Sequence, residues 1–161
     1  VTAPTAKEKE AAYAALEEEL RPHLLRAPDE TSLYERVVET LHRLPHFDWT
    51  GIYVLAEPGV LALGPYRGTP TEHVRIPVGR GICGQSAERD ETVLVADVAA
   101  EGNYLACSLE TRSEIVVPVR VRGAYRAQID VDSHIVAAFD EVDRRALEGL
   151  ALAMGERLGQ L

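Results

Sequence analysis

Two cysteines and three acids are the residues of this sequence whose types and placing suit chemistry. Cys83 sits at the start of a predicted helix, where the dipole favours a thiolate, and Cys107 stands in a long irregular stretch among polar residues. A mobile loop thiol can reach a fixed one. Free cysteine is also a common small buried hydrophobe, so the surroundings must decide between the two readings. Asp130 and Asp132 fall near the end of a predicted strand whose two-residue period turns both carboxylates to one face, and Glu114, on the partner strand, can join them. Carboxylates at strand ends are usually solvated turn residues. Clustered, they raise one another's pKa by like-charge repulsion, which keeps an acid protonated near neutral pH.

Two further patterns compete for attention. Gly79, Gly81 and Gly84 match the dinucleotide-binding spacing G-x-G-x-x-G. A parallel crossover needs about a dozen residues or more, however, and the next strand pattern follows almost at once at Thr92. The glycines are better read as allowing a tight turn and a close approach to a ligand, with the helix N-terminus behind them offering free N–H groups to an anion. His42 and His46 have the helical spacing of metal ligands, but Pro45 breaks the helix between them, so both are expected at the surface and no metal is expected.

The elements that must position these residues follow from the hydrophobic period. Tyr13, Leu16, Leu20 and Leu24 form one stripe of a first helix, which Pro22 kinks or ends. Ser32 and Glu35 have capping-box spacing at the head of a second helix carrying Leu33, Val37, Val38, Leu41 and Leu44, stopped by Pro45. Short β-rich runs at 49–55 and 60–66 flank Glu57-Pro58-Gly59 as a hairpin. Further strands are predicted at 74–78 and 92–95 around a short helix at 82–89, and a second hairpin at 114–121 and 124–132. The irregular stretch 97–112 is long enough to be a functional loop that closes over a ligand. Asp140 caps a last helix with the stripe Val142, Ala146, Leu150, Met154 and Leu158. The order predicts an α/β (α+β) protein with an antiparallel sheet of five or six strands, terminal helices on one face and the other face free for a pocket.

At 161 residues and 46% hydrophobic content, one domain spanning 1–161 is expected, with about 1–30 as an N-terminal helical extension. A net charge of -9 and a pI near 5.0 argue against nucleic acid and anionic lipid as partners. No apolar stretch approaches the roughly 20 residues of a membrane helix, and the opening residues lack a signal-peptide core, so a cytoplasmic protein is expected. Two thiols are too few for a secreted disulfide scaffold or a four-thiolate metal site.

Six segments in order, Trp49-Thr50-Gly51-Ile52-Tyr53, Val74-Arg75-Ile76-Pro77, Gly79 to Gly84, Leu105-Ala106-Cys107, Ser113 to Pro118 and Ile129-Asp130-Val131-Asp132-Ser133, resemble the free methionine-(R)-sulfoxide reductases, a GAF-domain family. The resemblance runs from about Thr31 to Leu158. It implies a GAF fold, commonly a homodimer, that encloses one free amino acid under the loop carrying the nucleophile and binds no cofactor. Cys107 matches the family's catalytic cysteine, and Cys83 a cysteine able to form a disulfide with it. Glu114, Asp130 and Asp132 match the acids that hold the substrate's ammonium group and sulfoxide oxygen, and Trp49 and Tyr53 match aromatics on the methyl-sulfur side. The implied chemistry is thiol-dependent reduction of free methionine sulfoxide through a Cys107 sulfenic acid and a Cys83–Cys107 disulfide, which an external thioredoxin-like dithiol reduces.

The sequence departs from that pattern at three places. His73 stands where the family often has a further cysteine, Ser108 follows Cys107 where Asp is common, and Arg126 and Gln128 interrupt a run that is largely apolar in the family. By alternation Arg126 and Gln128 share the face of Asp130 and Asp132, so Arg126 pairs with one of those carboxylates or meets a substrate carboxylate. The competing reading is a GAF module that binds a small molecule as a sensor without turning it over.

Overall fold

The computed structural model describes residues 1–105 and 109–161. Ala106, Cys107 and Ser108 lie outside the described residues, so the expected nucleophile is not among them. The first helix, α1 (Ala6–Arg26), is capped by Thr5 and passes through Pro22 for another turn. The second, α2 (Glu30–Leu41), starts earlier than its capping-box spacing predicts, because the Asp29 carboxylate accepts the N–H of Ser32 and takes the N-cap itself. Strands β1 (Trp49–Glu57) and β2 (Val60–Arg67) form the first hairpin, and β3 (Arg75–Pro77) extends it. After α3 (Gly81–Arg89) come β4 (Val93–Val95), a 3-10 turn at Val98–Ala100 and the hairpin β5 (Ser113–Val121) and β6 (Ala124–Ser133). The last helix, α4 (Glu141–Gln160), has Asp140 as its cap in a capping box with Asp143.

The six strands form one antiparallel sheet in the order β3-β2-β1-β6-β5-β4. This order places β3 and β4 on opposite edges, so the chain between them, including α3, must cross a whole face of the sheet. That crossing, with antiparallel pairing throughout, is why the glycine spacing does not make a dinucleotide site. Alternation sorts the strand residues to two faces. Ile52, Ile115, Val117, Val119, Ala127, Ile129 and Val131 face α1, α2 and α4 in the larger core. Trp49, Tyr53, Leu61, Ile76, Ile82, Cys83 and Val116 form a second cluster on the side crossed by α3.

A buried charge cluster ties the terminal helices together behind the sheet, and it overturns one expectation. Lys9 is 3% exposed, and its Nζ donates to Asp143 Oδ2 at 2.6 Å and to the Ala138 carbonyl at 2.8 Å. His46, expected at the surface, is buried with Nε2 2.7 Å from Asp143 Oδ1, which also accepts the Tyr13 hydroxyl at 2.7 Å. His42 bonds Thr50 instead of joining it. Burial alone would raise the Asp143 carboxyl, but hydrogen bonds from His46, Lys9 and Tyr13 outweigh it and hold the group well below the usual carboxylate range.

Candidate active site

Strand register brings the predicted acids together on the face crossed by α3. In the β5–β6 hairpin Glu114 stands opposite Asp132 and Val116 opposite Asp130, and β1 sets Trp49 against Asp132 and Gly51 against Asp130. Glu114 is 2% exposed, Asp132 1% and Asp130 fully buried. The first turn of α3 is laid over them, and ligating atoms of Cys83, Glu114 and Asp130 lie within 4.8 Å of one another. Asp132 stands one step along the strand, its Oδ2 3.5 Å from the Thr111 hydroxyl.

Burial raises the Asp130 carboxyl, and contacts from the Glu114 and Cys83 side chains offset part of the shift. The direction is the one expected from clustering, but the main cause is loss of water and not mutual repulsion. A carboxyl raised in this way is better suited to donate a proton than an ordinary one.

Aromatic residues close one side. Trp49 stacks on Tyr66 with ring centroids 5.6 Å apart and faces Tyr53 at 6.3 Å. Its indole lies over Gly51, where a Cβ would come within 2.4 Å of the Trp49 ring, so only glycine leaves room for this stack. The indole N–H donates to the Thr69 carbonyl at 3.0 Å, and the Tyr53 hydroxyl donates to the His73 carbonyl at 2.8 Å. Tyr66 is a wall residue that the sequence reading passed over as a strand end.

The glycine turn and residues 103–105 hold α3 in place. Gly79 and Gly81 adopt φ of 95° and 67°, and the Gly79 N–H donates to the Gly84 carbonyl at 2.8 Å, folding the turn back on the helix. One of the N–H groups expected to be free for an anion, that of Gly81, is already taken. Asn103 Oδ1 accepts the Gly81 N–H at 2.9 Å while its Nδ2 donates to the Gly79 carbonyl at 3.0 Å. Leu105 packs on Gly81, where a Cβ would meet its side chain at 3.0 Å. Tyr104 and Leu105 join the aromatic side of the sheet.

Arg126 and Gln128 part company. The β5–β6 register shifts so that Val119 faces Ala127 and Arg120 faces Tyr125, leaving Arg126 as the extra residue of a β-bulge. The bulge breaks the alternation and turns Arg126 toward α2, where it pairs with Glu30 at 2.7 Å. It is therefore removed from Asp130 and Asp132. Tyr125 takes the inward place, and burial pushes its phenol up to about 12. Gln128 is fully buried, donating through Nε2 to the Cys83 carbonyl at 3.1 Å and to the Tyr125 hydroxyl. The Ser86 hydroxyl, 3.4 Å from that of Tyr125, donates to the Glu91 carbonyl at 2.8 Å. This polar chain fixes the backbone of Cys83 to β6.

A six-stranded antiparallel sheet of this order, with helices from both termini behind it, is the fold of a GAF domain. The sequence model of that domain matches residues 27–158. The chain is 36% identical over 155 residues to protein YtsP of Bacillus subtilis, covering 95% of this chain and 94% of that protein. It is 37% identical over 108 residues to the free methionine-R-sulfoxide reductase of Escherichia coli, a match to 67% of this chain and 64% of that enzyme. The structure of free methionine-R-sulfoxide reductase from Neisseria meningitidis in complex with its substrate superposes with a TM-score of 0.84 at 31% identity, covering 98% of this chain and 92% of that one. The chain belongs to the GAF domain family and, within it, to the family of the free methionine-R-sulfoxide reductases. Among the described residues no helix is long and apolar enough to cross a membrane.

Proposed function

We propose that the chain, acting as one GAF domain over 1–161, reduces free L-methionine-(R)-sulfoxide to methionine. The observation that carries this reading is the buried trio of Cys83, Glu114 and Asp130 with atoms within 4.8 Å, next to an aromatic wall. The Cys107 thiolate attacks the sulfoxide sulfur while Asp130, kept protonated by burial, donates to the oxygen. The protonated oxygen then passes to the Cys107 sulfur as the S–O bond and the new S–S bond break, which leaves a sulfenic acid on Cys107. The electron pair stays with methionine, which departs reduced by two electrons. Cys83 then attacks that sulfur, water leaves, and the Cys83–Cys107 disulfide is returned to two thiols by a thioredoxin-like dithiol. Leu105, two residues before Cys107, packs on Gly81, two residues before Cys83, which supports this pairing.

Glu114 and Asp132 receive the substrate's ammonium group, and Trp49 and Tyr53 receive the methyl-sulfur end. A methionine sulfoxide inside a peptide has no free ammonium, and burying carboxylates without their counter-charge costs several kcal/mol, roughly, so the free amino acid is the substrate. No bound cofactor or metal takes part in this cycle, and the working unit is a homodimer in the cytoplasm. The test is consumption of free L-methionine-(R)-sulfoxide with dithiothreitol, compared with the same sulfoxide within a peptide. Turnover of the free form alone supports the reading. Saturable binding of the free sulfoxide with no methionine formed leaves a sensor module instead.

A further inference from the structure

The trio that serves reduction has the make-up of a soft-metal chelate. Cys83 supplies sulfur, Glu114 and Asp130 supply oxygen, all three residues are buried, and their ligating atoms lie within 4.8 Å of one another. In a tetrahedral zinc site ligand atoms stand about 3.3–3.8 Å apart, so side-chain movements of roughly an ångström close the trio around an ion. Asp130 is fully buried, and among the described residues its two oxygens find no partner other than the acid groups of Glu114 and Cys83. Arg126, the nearest cation along β6, is turned away to Glu30.

We propose that Cys83, Glu114 and Asp130 bind a thiophilic divalent cation of the zinc class and that this ion competes with the sulfoxide. The competition rests on the reductase reading; the chelate does not. Sulfur in the donor set selects zinc-like ions over magnesium and calcium, which take six or more oxygens. Three protein ligands leave a fourth position open for water. Because the ion takes the Cys83 sulfur, it also blocks the resolving step, so a metal-loaded enzyme is held in its reduced form.

The test titrates the reduced protein with Cd2+ alone, following the thiolate-to-cadmium charge-transfer absorption, and then displaces it with Zn2+. One Cd2+ binds per chain, the band survives Cys107→Ser and vanishes in Cys83→Ser. Affinity falls at least about tenfold in Glu114→Gln and in Asp130→Asn, a loss already typical of changes just outside a metal's ligand shell. In the unmutated protein, which carries no folding risk, Zn2+ slows alkylation of Cys83 by iodoacetamide, read by peptide mapping. A band that persists in Cys83→Ser, affinity unchanged in both carboxylate variants, or Cys83 unprotected by Zn2+ overturns the proposal. Cadmium binding without any sulfoxide turnover defeats the reductase reading and leaves the chelate standing; turnover without metal binding does the reverse.

Discussion

Asp143→Asn is the most informative perturbation of the fold, because one carboxylate anchors three buried partners. The change removes the charge that balances Lys9, whose side chain is 2% exposed and whose Nζ sits 2.6 Å from Asp143 Oδ2. Lys9 keeps the Ala138 carbonyl at 2.8 Å and Asp140 at 3.2 Å, but the Asp140 side chain is 44% exposed and therefore screened. Breaking a buried pair from one side costs about 3–5 kcal/mol, since it leaves a buried charge uncompensated, and the contacts that remain set the loss near the lower end. For a domain of this length about 3 kcal/mol lowers Tm by roughly 6–12 °C. Urea unfolding should show a lower midpoint at an unchanged slope. Adding Lys9→Met should recover part of the loss, because no charge is then left unpaired. A loss below about 1 kcal/mol, or no recovery in the double variant, refutes the view that this charge pair holds α1 to α4.

The same carboxylate sets the acid limb of stability. Its folded pKa is depressed, so its contribution is complete above the unfolded value near about 4 and is lost as pH falls through the folded one; stability followed downward from about pH 5 should drop less steeply in Asp143→Asn than in the unmutated protein. Arg126→Ala should cost under about 1 kcal/mol, as expected for an exposed pair, and leave KM for the free sulfoxide unchanged; a raised KM would return Arg126 to the site. In Gly84→Ala the new Cβ would stand 2.8 Å from the Pro77 carbonyl oxygen and 2.9 Å from the Gly79 nitrogen, both backbone atoms. Denaturation should show a loss of about 1–3 kcal/mol from overpacking, and kcat should fall as α3 shifts under Cys83.

The sheet was largely legible because its signal is local: alternation in 49–57, 113–121 and 124–133 marks both hairpins and puts Glu114, Asp130 and Asp132 on one face. What escaped depended on distance along the chain or on one inserted residue. Lys9, Tyr13, His46 and Asp143 carry no joint pattern, since 134 residues separate Lys9 from Asp143. The bulge at Arg126 leaves no period-breaking signal in the sequence, so alternation carried Arg126 to the wrong face while placing Gln128 correctly. Asn103 looked like loop composition, yet it caps α3 from 22 residues away. A hint was available for Tyr66, since its place in the hairpin opposite Gly51 follows from the turn at Glu57-Pro58-Gly59 once the register is drawn.

The central claim is that the two thiols have different roles, and single-turnover methionine release, read by mass spectrometry without added reductant, tests it most directly. Cys107→Ser should release none, since a hydroxyl is a far weaker nucleophile and forms no sulfenic acid. Cys83→Ser should release about one methionine per chain and then recycle slowly with thioredoxin, because the sulfenic acid has lost its internal partner. Full release from Cys107→Ser, or none from the unmutated protein, would contradict the account.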